Sequence, residues 1–415
     1  MRIIQYERSL SVALRAGALV SRFLLILSLA YYLTALEFGQ YGLYLAATSY
    51  LVYFLGFDFY NYTTRKIIGH SKREIEFALK GQAVFFMISY AIAIPSLVAL
   101  SVLKYLPINI TTLFIVILVF EHVSQELYRL LIALSEPLWA SVTLFVRTGL
   151  WVAVLIPLML WEANFRNLYI VMLFWAFGGG LSCGVAVYRV HKKKFSFTNI
   201  STNWKWIWQG IKVAIPLLVA TLSIRALFTF DRFFVDSING KDFLAVYVLF
   251  IGVSGAIASF LEAGVFVFTY PRLIELYKND LKNEFVCAAK KMLKQTILIS
   301  GVCAIFSYYI LKVYLKVFDK EYFYSYINIY PWLGLAMCIY CLSMVPHYVL
   351  YAMGRDKCIV LSQILGVLVF AVSSFGYDSG VLTVPYALCI SFVTVFIVKT
   401  TGCYWYDKTW TNNRC

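Results

Sequence analysis

Long apolar runs, broken by short polar or basic turns, recur from one end of the chain to the other. Their edges predict helices at about 11–34, 40–61, 82–103, 110–133, 140–160 and 168–188, then at 213–236, 243–268, 295–315, 324–351, 358–376 and 381–398. Each is close to the ~20 residues needed to cross ~30 Å of hydrocarbon. The runs are continuous rather than alternating, which argues against a β-barrel. The expected fold class is all-α: a polytopic membrane protein of about twelve transmembrane helices in two six-helix lobes around a central cavity. The clearest hairpin runs from about Val213 through the polar turn Ser237–Asp242 into the next apolar segment. Pro216, Pro331 and Pro346 fall inside predicted helices. Each removes a backbone donor there, and such breaks in membrane helices often border cavities.

The two halves repeat weakly. Glu37-Phe38-Gly39-Gln40-Tyr41-Gly42 enters the second segment, and Asp242-Phe243-Leu244-Ala245-Val246-Tyr247 enters the eighth, about 205 residues later. Arg22 and Arg225 sit near mid-depth of the first helix of each half, and Asp58 and Glu262 near the inner end of the second, at nearly the same offset. Repeated halves with a site at their interface are a transporter architecture. The expected division is 1–207, a six-helix lobe plus linker, and 208–415, a second six-helix lobe. The linker, with His191–Lys194 and Trp204, Trp206 and Trp208, reads as a helix lying on the membrane surface.

Composition agrees with the pattern. Of 415 residues, 61% are hydrophobic and only 14% charged, against about 25% charged in soluble domains; the mean hydropathy is +0.77. The net charge of +15 does not indicate nucleic-acid binding, because the basic residues lie in short loops. With twelve spans, 24 of the 36 Lys and Arg fall on the side of the termini and 5 on the other, which makes the termini cytoplasmic by the positive-inside rule. The N-terminal stretch mimics a signal peptide, but Arg15 and Arg22 interrupt it and it runs too long, so it reads as a retained span.

Candidate chemistry is confined to charges inside the spans, which are costly there and usually serve a purpose. Arg22, Arg225, Arg147 and Arg232 are candidates to line the cavity and bind an anionic substrate, because guanidinium forks onto phosphate oxygens. The competing reading pairs them with acids: Asp231 adjoins Arg232, and Glu121 or Glu126 can neutralise Arg147. Glu121, Glu126, Asp58, Glu262 and Asp231 are the candidates for coupling to Na+ or H+, with Asp58 and Glu262 also expected to pair with basic loop residues. His122, Gln125, Glu126 and Arg129 share one helical face and should point into the bundle. The nine cysteines lie mostly in apolar runs, so Cys338-x-x-Cys341 reads as packing rather than as a metal or redox pair. No phosphate-binding loop or zinc-protease motif occurs, no cofactor is implied, and the four scattered histidines argue against a metal site.

With these features assembled, the chain resembles the bacterial polysaccharide flippases, the O-antigen repeat-unit translocases of the multidrug/oligosaccharidyl-lipid/polysaccharide (MOP) exporter superfamily. The resemblance rests on LEFGQYGLYLAATSYL, FDRFFVDSINGKDFLAVY, ELYRLLIALSEPLWAS and YAMGRDK, and on hydropathy along the whole chain. It implies two six-helix lobes forming a V. It also implies a cationic cavity and an undecaprenyl-pyrophosphate-linked oligosaccharide carried from the cytoplasmic to the periplasmic leaflet of the bacterial inner membrane. A glycan polymerase and a chain-length regulator are the implied partners. The absence of Lys or Arg at mid-depth in the eighth, tenth and eleventh segments departs from some relatives. The alternatives are a multidrug cation antiporter of the same fold, which an acidic cavity would favour, and a membrane-embedded glycan polymerase, disfavoured because no outer loop exceeds about ten residues.

Overall fold

The computed structural model describes residues 2–67, 70–102, 108–198, 200–376 and 379–412, which are helical almost throughout, with no strand among them. The chain divides into two compact units, 1–222 and 223–415.

The first unit contains α1 (Arg2–Tyr32), α2 (Ala35–Gly56), α3 (Tyr60–Ile67), α4 (Lys72–Val102), α5 (Ile108–Ala133) and α6 (Pro137–Phe145). A π-helical turn (Val146–Leu150) leads into α7 (Trp151–Trp161), and α8 (Leu168–His191) and α9 (Trp204–Leu227) follow. Helix α5 packs on α8 and α2, and α1 packs on α6 and the π-turn. Helix α2 begins with a capping box: Glu37 N–H donates to the Thr34 hydroxyl, and the Glu37 carboxylate accepts from the Thr34 backbone N–H. This satisfies donors that a helix start leaves unpaired. The same carboxylate also accepts from Leu168 N–H at 3.1 Å, tying α8 to α2.

The second segment expected from sequence is broken rather than straight. Phe57 and Asp58 adopt left-handed φ of 53° and 50°, and α3 leaves α2 at 57°. Such conformations disfavour L-residues by about 1–2 kcal/mol each, so packing must hold them. Phe59 stacks on Phe85 of α4 at 4.7 Å, and Phe57 meets the same ring edge-on at 5.7 Å.

The linker also differs from expectation. Residues 195–198 and 200–203 are not helical, and Trp204, Trp206 and Trp208 open α9 itself. Trp204 and Trp208 are exposed, but Trp206 is buried among Phe59, Ala78, Phe85 and Ile207. It lies so close to Gly81 that a Cβ there would stand 2.5 Å from the indole. Lys80 donates to the carbonyls of Phe197 and Ile200, and Ser196 N–H donates to Glu76. The linker is therefore fastened to α4. With Trp206 and Ile207 packed in the first unit, the division falls within α9, beyond the 207/208 position.

The second unit continues with α10 (Phe230–Leu261), a π-turn (Glu262–Phe266), α11 (Val267–Lys278), α12 (Lys282–Val317), α13 (Glu321–Ser325), α14 (Tyr330–Ala352), α15 (Asp356–Gly376) and α16 (Thr383–Asn412). Helix α16 packs on α14 and α15, and α14 also receives α10 and α12. Helix α10 turns at Gly240 (φ 80°, ψ 175°), a backbone region almost restricted to glycine. The Tyr247 hydroxyl donates to Asp231 at 2.8 Å across sixteen residues. A straight helix would separate those residues by about 24 Å, so the chain folds back at Gly240, as the polar turn suggested.

Among the described residues ten helical stretches are long and apolar enough to cross a membrane, or eleven with α2 and α3 taken as one bent span. One of them, Trp204–Lys278, runs 75 residues and contains the Gly240 reversal.

At one end of the first unit, Glu136 precedes α6 and joins the end of α8: Arg189 Nη2 donates to it at 2.8 Å, and Lys193 donates to its other oxygen. Burial pushes the Glu136 carboxyl up, but the hydrogen bonds and charges of Lys193 and Arg189 outweigh it and hold the group below the usual carboxylate range. A group depressed in this way stabilises the fold above its unfolded pKa, and the contribution fades as pH falls through the native value. Glu136→Gln is expected to lower stability by on the order of 1 kcal/mol at neutral pH. Thermal melting of the purified protein should show the deficit at neutral pH and lose it in acid; an undiminished deficit in acid would mean that the carboxylate charge is not its source.

Candidate functional site

Two buried polar clusters occupy the first unit. The first surrounds Glu126 of α5. Arg129 Nη1 lies 2.5 Å from Glu126 Oε1, and Gln82 Nε2 of α4 donates to Oε2 at 2.9 Å. The Arg129 guanidinium covers the Tyr60 ring at 3.6 Å and lies 5.4 Å from Tyr53. Asp58, 2% exposed, sits at the α2–α3 break within electrostatic reach of Glu126, Arg129 and Tyr60. His122, 1% exposed, hydrogen-bonds Tyr90 through Nδ1, while Nε2 is buried with no partner. A Cβ on Gly56 would come 3.0 Å from that Nε2, so glycine lets α2 approach. Three members of the polar stripe expected on this helix, His122, Glu126 and Arg129, thus pack against α2, α3 or α4 inside the first unit, as their cost against lipid requires. Two carboxylates and one guanidinium share a low-dielectric space, an arrangement able to hold a proton or a small cation.

The second cluster centres on Arg147. The π-turn places it 3.8 Å from Glu121, whose other oxygen accepts from Trp175 Nε1 at 2.8 Å. The Arg147–Glu121 contact is electrostatic only: Arg147 Nε and Nη1 are buried and make no hydrogen bond. Glu126 is committed to Arg129, so Glu121 is the acid that faces Arg147. Arg22 is exposed on α1. Its neighbour Ser21 reaches the π-turn, with Oγ 3.3 Å from where a Gly149 Cβ would stand.

In the second unit, Asp231 is fully buried and holds the Tyr247 hydroxyl. The expected Asp231–Arg232 ion pair does not form. Adjacent helical residues diverge around the axis; only the Arg232 backbone N–H reaches Asp231, at 2.8 Å, and the guanidinium donates to the Phe228 carbonyl at 2.9 Å. Asp231 is thus a strut of the hairpin. Glu262 does not pair with a basic loop residue either. It begins a π-turn, is exposed, and accepts from the Tyr348 hydroxyl of α14 at 3.0 Å. Tyr348 stacks on Tyr270 at 5.5 Å and touches Phe266. Arg225 is half-buried on α9, and Arg225 and Glu262 both lie within electrostatic reach of Tyr340.

Sequence reasoning passed over Gln82, Tyr60, Tyr90 and Tyr348, which look like ordinary span residues until a partner is seen. It also passed over Lys399, 1% exposed on α16, with no carboxylate in ion-pairing distance among the described residues. The lone lysine in VFIVKTTGC was a visible signal. Cys341 is fully buried and Cys338 donates to the Ser300 carbonyl at 3.5 Å, both packing contacts. Among the described residues, no three His, Cys, Asp or Glu side chains converge on a metal position.

The profile of a family described as polysaccharide biosynthesis protein matches residues 12–277, a stretch that includes Arg22, Asp58, Glu126, Arg147, Arg225 and Glu262. No curated protein matches the chain in sequence. Among solved structures, an inward-facing multidrug resistance MATE family transporter of the MOP superfamily aligns over 96% of this chain and 95% of its own, with a TM-score of 0.70 and 14% identity. A MATE structure in the straight conformation covers 97% of each chain at a TM-score of 0.61 and 13% identity. An outward-facing MOP-superfamily MATE transporter covers 98% and 97% at 0.60 and 13%. At such identities these likenesses show the fold alone, and the family follows from the sequence profile. The chain belongs to the polysaccharide biosynthesis protein family and has the multi-pass helical fold of the MATE transporters it aligns with.

Proposed function

We propose that the protein flips an undecaprenyl-pyrophosphate-linked oligosaccharide repeat unit from the cytoplasmic to the periplasmic leaflet of a bacterial inner membrane. It would serve O-antigen or another surface polysaccharide and work by alternating access. The observation that carries an anionic cargo is Arg147: two of its guanidinium nitrogens are buried and no hydrogen-bond acceptor among the described residues satisfies them. Buried donors left unpaired are costly, and phosphate oxygens are their natural acceptors. Arg22 and Arg225 are the further proposed phosphate contacts. Arg232, already bonded to a backbone carbonyl, is a weaker one. Coupling to Na+ or H+ is assigned to the Asp58–Glu126 cluster, whose carboxylates are buried and close. Glu121 is engaged with Arg147 and Trp175, and Asp231 with Tyr247, which leaves both less suited to it. The glycan made elsewhere would pass to a polymerase and chain-length regulator on the far side.

A multidrug cation antiporter is the second reading, favoured by the fold shared with MATE transporters. Deleting the gene separates the two. The proposal expects loss of surface glycan and build-up of the lipid-linked repeat unit on the cytoplasmic leaflet, with drug resistance unchanged. Intact glycan with increased sensitivity to organic cations would reverse the choice.

A further inference from the structure

Glu262 differs from the acid at the matching position of the first half. Asp58 is buried within electrostatic reach of Arg129, whereas Glu262 is exposed and has no Lys or Arg within ion-pairing distance among the described residues. Among the described residues only Oε2 is occupied, by Tyr348, and Oε1 receives no donor. The π-turn sets this orientation: Val267 N–H reaches back to the Glu262 carbonyl, inserting an extra residue into the turn, a device common at functional sites. Tyr348, which holds the carboxylate, stacks on Tyr270 with the rings nearly parallel at 18°.

We propose that Glu262, Tyr348 and Tyr270 form a sugar-binding surface that holds the oligosaccharide part of the cargo, separately from the arginines that hold its phosphates. This rests on the flippase reading. A sugar presents hydroxyl donors on its rim and C–H groups on its faces. An ionised carboxylate accepts from hydroxyls, and a tyrosine ring offers dispersion contact together with a hydroxyl that both donates and accepts. An organic cation would also meet an acid and aromatic rings here. Competition by tetraphenylphosphonium distinguishes the two ligands. The surface needs no bound metal and no change of covalent structure.

The test uses the full-length protein in lipid nanodiscs. The probe is the repeat-unit oligosaccharide released by mild acid from the cells' own lipid-linked pool, which carries no pyrophosphate. Glu262→Ala and Tyr270→Ala are each expected to weaken its binding by about tenfold. Glu262→Gln and Tyr348→Phe, which keep the shape, should weaken it less. Tetraphenylphosphonium should not compete. Equal binding of the sugar to all variants, no binding to the unaltered protein, or competition by tetraphenylphosphonium that depends on Glu262 would each overturn the proposal. Glycan export in cells keeps the two readings apart. Normal export by the Glu262 and Tyr270 variants removes the sugar surface and leaves the flippase standing; absence of export by the unaltered protein removes the flippase.

Discussion

Arg225→Ala is expected to reduce export of surface glycan by roughly ten- to a hundredfold, the weight of one or two charge-assisted hydrogen bonds to phosphate, while the protein accumulates normally. Arg22→Ala should behave alike. Arg22 is exposed and Arg225 half-buried, so neither anchors a packed core, and removing either should leave the fold intact. Lysine at either position should restore part of the activity, because it keeps the charge but loses the planar fork. Quantifying surface glycan by gel against protein level by immunoblot separates transport from folding. Normal export in both alanine variants would remove the arginines from the mechanism, and parallel loss of protein and glycan would make them structural.

The second large effect belongs to Glu126. Its carboxylate neutralises Arg129, and deleting one member of a buried ion pair leaves the other charge uncompensated, at about 3–5 kcal/mol. Glu126→Ala should therefore melt far below the unaltered protein or fail to accumulate. The double variant Glu126→Leu, Arg129→Met removes both charges and should regain much of the lost stability. If the cluster carries the coupling ion, that stable double variant still fails to transport. If it transports with its ion dependence intact, the cluster is only a polar strut of the first unit.

Much of the fold was legible because membrane helices announce themselves through length and hydropathy, and because Ser237–Asp242 is a polar turn between two such runs. The charges were legible too, since any ionised group in a span stands out. What the sequence could not reveal was the direction each charge faces. Asp58 and Glu262 occupy matching positions in the repeat, yet one is buried and the other is exposed beside a tyrosine. The difference depends on a left-handed break at Phe57–Asp58 in one half and a π-turn at Glu262 in the other. Neither has a residue signature, because the left-handed pair contains no glycine and π-turns arise from hydrogen-bond register. Trp206 was misplaced for a related reason. Clustered tryptophans beside a basic run suit a membrane surface, but Gly81 and Gly210 open space for close packing, and a Cβ on either would collide with an aromatic ring. Adjacency of Arg232 and Asp231 suggests an ion pair, but neighbours on a helix point apart.

The most direct test of the central claim measures leaflet crossing itself. Purified protein would be placed in liposomes that carry the lipid-linked repeat unit in both leaflets, and a lectin that cannot cross the bilayer would be added outside. Active flipping is expected to bring the inner-leaflet population to the lectin, raising the reachable fraction above that of protein-free vesicles, with Arg225→Ala slowing the rise. A fraction that stays at the protein-free value, in vesicles that nonetheless take up tetraphenylphosphonium against an imposed Na+ or H+ gradient, would contradict the account and assign the protein to cation export.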